Sequence, residues 1–155
     1  MAAKLPLKVG YITVDDPRDR RTWSGTNHYL LKALEARFEQ VVVLGPLKPQ
    51  PVLFLCRLFN ALWLLLLRKR FNYRDSFAMA KAYRRSLRKR MREQRFDLLI
   101  APAGLTTTAL LDTDVPIVHI NDRSLAGALE YHVILKDLLP FSRRDGLELE
   151  RINLR

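Results

Sequence analysis

Four short apolar runs punctuate the chain: Val9–Val14 (VGYITV), Val41–Leu44 (VVVL), Phe96–Ala101 (FDLLIA) and Pro116–Ile120 (PIVHI). None alternates cleanly between apolar and polar positions. That is the pattern of strands covered on both faces, as in a parallel sheet. Gly45-Pro46 closes the second run and Pro102 the third. Between the first two, Thr26, Leu30, Ala33, Leu34 and Phe38 recur at the spacing of one buried helical face. Strand, helix, strand, helix, strand predicts an α/β domain whose parallel β-sheet is built from right-handed crossovers.

Two helices are expected between the second and third strands. Val52–Leu67 has 14 apolar residues of 16, interrupted by Arg57 and Asn60. At about 1.5 Å per residue it would be roughly 24 Å long, short of a hydrocarbon core of about 30 Å. The pattern therefore reads as a buried or membrane-touching helix, not a span. Near Arg74–Arg95 a second helix would line Phe77, Ala80, Leu87 and Met91 along one side. A last helix is expected to open at a Ser142/Asp145 capping pair and to run through Leu147, Leu149 and Glu150.

Length limits the chain to one domain, 1–155, with a real core. The net charge of +11 changes the picture only locally. Residues 68–95 hold 12 Lys/Arg against Asp75 and Glu93, so nearly all of the excess belongs to one segment. Cys56 has no partner for an internal disulfide and sits in an apolar run, which suits a reduced, buried thiol and a cytoplasmic setting. Val9–Val14 is too brief for the core of a secretory signal.

In open α/β sheets, ligands collect at the carboxyl ends of the strands. Asp15–Gly25, Gly45–Lys48, Pro102–Thr106 and Asn121–Ser124 should meet there. The first is the most informative, because Ser24-Gly25-Thr26 opens a helix. Glycine admits a ligand close to the backbone, and the free N–H groups of a helix start favour an anion such as a nucleotide-sugar phosphate. An ordinary helix start would look the same. The three closely spaced glycines of a dehydrogenase fingerprint are absent, as is a P-loop. Asp122, just past the fourth strand, could take a proton from an acceptor hydroxyl, or merely cap the next segment. His119 inside PIVHI reads as a packed strand histidine, and His28 and His132 as structural ones. Cysteine and histidine spacing offers no metal site and nothing calls for a cofactor.

Together, WSGTNHYLLKALE at Trp23–Glu35, FDLLIAPAGLTTTALL at Phe96–Leu111, PIVHINDRS at Pro116–Ser124 and LPFSRRDGLELERINL at Leu139–Leu154 are similar to one family. Nearly the whole chain resembles the N-terminal domain of family 4 glycosyltransferases, the retaining enzymes of the GT-B fold. The resemblance implies a Rossmann-like three-layer domain facing a second such domain across a cleft. It implies a donor-phosphate loop at Ser24, Gly25 and Thr26. Asp16, Gly104, His119 and Asn121 would line the acceptor side, with Asp122 as the catalytic carboxylate. Many members place a histidine in the tip loop where this chain has Asn121 and Asp122. The C-terminal donor-binding domain, with its paired glutamates, has no counterpart in these residues, so the chain is expected to be inactive alone. Its partners would be a nucleotide-sugar donor and a glycan or lipid acceptor.

Enzymes of that family often act at membranes, and the apolar Val52–Leu67 followed by Arg68-Lys69-Arg70 suits peripheral contact with the anionic inner membrane face through residues 52–95. A solvated helix packed by its apolar stripe is the plainer alternative. Two rival functions stand beside transfer: a non-catalytic carbohydrate- or lipid-binding module, and an RNA-binding protein using residues 68–95. The second lacks an RNP-type aromatic motif, and no specific nucleic acid is expected.

Overall fold

Leu5–Tyr11 forms β1, Phe38–Val43 β2, Leu98–Pro102 β3 and Ile117–Ile120 β4. They make one sheet in the order β2-β1-β3-β4, with every pairing parallel. The helices are α1 (Thr26–Arg37), α2 (Gln50–Leu67), α3 (Phe77–Met91), α4 (Leu105–Thr108), α5 (Leu125–Tyr131) and α6 (Pro140–Asn153). The computed structural model describes residues 3–131 and 135–154. The fold is α/β, a parallel sheet flanked by helices in the Rossmann-like manner.

The chain divides into two compact units. The first comprises Met1–Lys48, Ser86–Gly104 and Asp112–Ile120, and so contains the whole sheet. One sheet face packs on α1: Val9, Tyr11 and Ile100 meet Leu31 and Leu34, with Val41, Val43 and Ile120 at the margin. On the opposite face a Cβ at Gly10 would lie 2.6 Å from Leu99 and 3.0 Å from Leu44, so only glycine lets those side chains close over β1. Arg90 finishes the edge by donating to the Leu44 carbonyl at 2.6 Å and the Pro46 carbonyl at 3.0 Å.

The second unit comprises Pro49–Arg85, Leu105–Leu111 and Asn121–Arg155. Its small apolar cluster joins Ala80, Ala109 and Leu149. Side-chain hydrogen bonds do much of the rest. Thr106 donates to Asp75 at 2.7 Å, Thr108 to Asn153 at 3.0 Å, and Asn153 Nδ2 to the Leu105 carbonyl at 2.6 Å. Ser76 caps α3, its hydroxyl accepting the Met79 N–H at 3.3 Å.

Two expectations change here. The helix assigned to a Ser142/Asp145 capping pair starts at Pro140, a residue suited to a first turn because it has no N–H to leave unpaired. Ser142 lies inside the helix and its hydroxyl accepts the Asn72 N–H at 2.9 Å. Nor is the long apolar helix buried: only 6% of the α2 window is covered, and Leu65 is 81% exposed.

Candidate functional site at the carboxyl edge of the sheet

The sheet order contains a reversal. From β1 the chain crosses through α1 to β2 on one side, while β3 and β4 lie on the other. A crevice forms where such connections diverge, beyond the carboxyl ends of the two strands involved. Here those ends belong to β1 and β3.

β1 leaves the ladder at Tyr11, whose hydroxyl donates to the Asn27 carbonyl at 3.2 Å and ties the strand to α1. Burial pushes the Tyr11 phenol far up, so it stays a donor. The next residues, Ile12 and Thr13, are buried, and the Ile12 N–H reaches the Ile100 carbonyl at 2.9 Å. Leu47 closes the neighbouring turn by donating to the Thr13 and Val14 carbonyls at 3.2 and 3.0 Å. A Cβ at Gly45 would overlap the Thr13 hydroxyl and carbonyl, so this turn admits glycine alone. The Thr13 Oγ1 is buried with no hydrogen-bond partner among the described residues.

The loop from Asp15 to Gly25 is folded by its own polar groups. Asp16 accepts the Arg18 N–H at 2.9 Å. Asp19 accepts the Arg21 backbone N–H at 3.0 Å and its guanidinium at 3.1 and 3.2 Å, which holds the Asp19 carboxyl below its ordinary pKa. Thr22 donates to the Asp19 carbonyl at 2.8 Å. Lys48 stands 3.8 Å from Asp15, an exposed pair of little energetic weight.

Then comes the least ordinary backbone among the described residues. Trp23, Ser24 and Gly25 follow one another at φ 43°, 53° and 84°. Left-handed backbone costs an L-residue about 1–2 kcal/mol, and a bulky side chain such as Trp is rarely found there. Strain of that kind persists only where the surroundings over-determine it, and it clusters at functional sites. Gly25 is the residue before α1, and no side chain caps that helix. The Thr26 N–H is taken by the Trp23 carbonyl; the N–H groups that follow it in the first turn, and the positive dipole end, have no side-chain cap. Gly25 is buried, whereas Ser24 and Thr26 are exposed. Beside the turn, the Arg20 Nε donates to His28 Nε2 at 3.3 Å.

At the end of β3, Ala103 is again left-handed, at φ 47°, and its N–H reaches the Ile120 carbonyl at 2.8 Å. Gly104 follows, buried. His119 sits opposite Ala101 in the β3–β4 ladder. Side chains alternate along a strand, which puts His119 on the other face from Ile120 and the α1 cluster. Its Nδ1 is buried without a partner among the described residues, and desolvation holds its pKa below the ordinary imidazole value. It is a neutral ring on the sheet.

No family model, curated protein or solved structure matches this chain. The site thus rests on its own geometry.

Of the residues the sequence singled out, Asp16, Ser24, Gly25, Thr26, Gly104 and His119 belong to the sheet unit. Asn121 and Asp122 belong to the second, where both are exposed in the segment after β4. His132 lies outside the described residues. His28 has a structural partner in Arg20. Among the described residues no cluster of His, Cys, Asp or Glu could hold a metal ion.

Three features escaped sequence reasoning. Nothing about Trp23 or Ser24 announces positive φ. Arg20 is a cation whose carbonyl lies 3.3 Å from where a Gly25 Cβ would be. Glu150, nearly buried, accepts the Leu125 and Ala126 N–H groups at 2.7 and 3.2 Å, filling the start of α5 with a carboxylate. The Ser24-Gly25-Thr26 helix start marked the place of the first two without showing their geometry, and no sequence signal marked Glu150 as a cap.

Proposed function

We propose that this chain is the acceptor-side domain of a glycosyltransferase, working with a donor-binding domain supplied outside these residues. The observation that carries the reading is the left-handed Trp23–Gly25 turn at the exit of β1, opening onto the uncapped start of α1. A turn of that shape presents backbone N–H groups to an anion, and a diphosphate is an anion of suitable size. Arg20 adds a positive charge beside the same turn. In the reaction, an acceptor oxygen bonds to the anomeric carbon while the bond from that carbon to the nucleoside diphosphate breaks. The acceptor proton leaves to a general base. Ser24 and Thr26 would contact the diphosphate, while Asp16 and Gly104 of the same unit would meet the acceptor.

Transfer assays test this directly. The chain alone and the same chain joined to a donor-binding domain would be given a panel of nucleotide-sugars. Turnover is expected only in the joined protein, and there Gly25→Ala should cut transfer at least about tenfold by moving the turn. Full transfer by the joined Gly25→Ala protein would remove the turn from the mechanism.

A further inference from the structure

The helix α2 presents a surface that a water-soluble chain has no reason to keep. It spans 18 residues with a mean hydropathy of 1.7, yet 6% of that window is buried. Phe54, Leu55, Leu58, Leu62, Leu65 and Leu66 are between 49% and 81% exposed. The inward side is narrow: Cys56 is buried, Asn60 accepts the Phe71 N–H at 2.8 Å, and Phe59 stacks edge-on to Phe71 at 5.2 Å between ring centroids. A groove of about 490 Å³ lined by Leu55, Cys56, Leu58, Phe59 and Phe71 continues the apolar face. Contiguous apolar surface of this kind marks a docking face.

Two facts identify what docks. The first is charge. α2 runs straight into Arg68-Lys69-Arg70, and residues 68–85 hold seven Lys/Arg against Asp75 alone. Arg68, Lys69, Arg70, Arg74, Lys81 and Arg85 are exposed, and none forms an ion pair among the described residues. Pairing with a second copy would bring two such segments together against their repulsion, whereas an anionic leaflet attracts them. The second fact is topology. β2 precedes α2, β3 follows it, and both belong to one hydrogen-bonded sheet. A single crossing between them would leave those strands on opposite sides of a bilayer, so α2 cannot span. At about 1.5 Å per residue it is also only about 27 Å long, against a hydrocarbon core of about 30 Å.

We infer that α2 lies in the plane of an anionic membrane surface, with Phe54, Leu58, Leu62, Leu65 and Leu66 among the acyl chains and the following cations among the headgroups. This stands or falls independently of the transferase reading, since neither vesicle binding nor its loss involves a nucleotide-sugar.

The test uses the full chain and vesicles of phosphatidylglycerol or phosphatidylcholine. Leu65→Cys carries an environment-sensitive dye; Cys56 is buried and its thiol pKa raised, so it competes poorly for the label. The dye should shift to the blue on phosphatidylglycerol and return on adding salt. Replacing Arg68, Lys69 and Arg70 with Gln should lower partitioning about a hundredfold, near fivefold per charge. Leu65→Gln with Leu66→Gln should lower it at least about tenfold, with an unchanged circular dichroism spectrum because both side chains are exposed. A dye that stays in water on anionic vesicles overturns the inference. So does equal binding to phosphatidylcholine at high salt, or a blue shift without lipid that grows with protein concentration, the mark of a second copy.

Discussion

The two units of this protein are held together by different means. The sheet unit rests on a hydrogen-bonded ladder and an apolar core, with Leu99, Val9 and Tyr11 fully buried. The helical unit has a small core and relies on side-chain hydrogen bonds, such as those from Thr106 to Asp75 and Thr108 to Asn153. Its largest apolar element, α2, contributes little to that core. Apolar content alone therefore does not say where stability comes from. In the sheet unit leucines act by being buried within the fold; on α2 the fold leaves them uncovered.

Substitution at the sheet centre should show the largest effect. Leu99→Ala, at a site with no exposure, is expected to lose about 3 kcal/mol in urea denaturation, whereas Leu65→Ala should stay within about 0.5 kcal/mol. Equal losses would mean that α2 is packed after all and would erase the contrast. Next comes Gly45→Ala, whose Cβ meets the Thr13 backbone, a barrier that flexible side chains cannot relieve. Its expected cost is about 2 kcal/mol in the same measurement.

The helical unit can be probed at Glu150. Glu150→Gln keeps the shape but leaves one accepting oxygen for two donors, so one of the charge-assisted bonds to Leu125 and Ala126 is lost, with an expected loss of about 1–3 kcal/mol. Hydrogen exchange at those two amides should accelerate before that of the sheet; unchanged protection would show that the cap is ornamental.

Much of the sheet could be read from the chain because its strands are short, apolar and bounded by Gly or Pro. β1 was harder. It begins at Leu5, where Pro6 and Lys8 break the expected apolar run, and it stops at Tyr11 while Ile12 and Thr13 continue buried beyond the strand. α4 and α5 went unseen: four and seven residues carry too little periodicity to separate a helical turn from a loop. The glycine of the candidate site was legible, since Ser24-Gly25-Thr26 has the composition of a helix start. The positive φ of Trp23 was not, because a tertiary constraint, not side-chain preference, sets it. The exposure of α2 was equally hidden, as a core helix has the same composition.

Smaller effects refine the picture at the sheet edge. Ser24→Gly relieves one left-handed residue and should stabilise the fold by up to about 1 kcal/mol, seen as a higher urea midpoint. No gain would mean the turn is not strained in solution. His119, with its pKa lowered by burial, is neutral when folded and takes up a proton more readily once unfolded. Above the ordinary imidazole value, near about 6.5, it therefore adds no pH dependence; as pH falls from there towards its lower folded value, stability declines. His119→Asn should remove that slope in paired denaturation curves, and an unaltered slope would assign it to other groups.

The central claim concerns an anion at the Trp23–Gly25 turn, and backbone amide chemical shifts read it most directly. Titrating the isotope-labelled chain with millimolar uridine or guanosine diphosphate should move the amides of Trp23–His28, together with Ala103 and Gly104 across the crevice. Shifts confined to the Lys/Arg side of α3, or none in the turn at saturating ligand, would contradict the account.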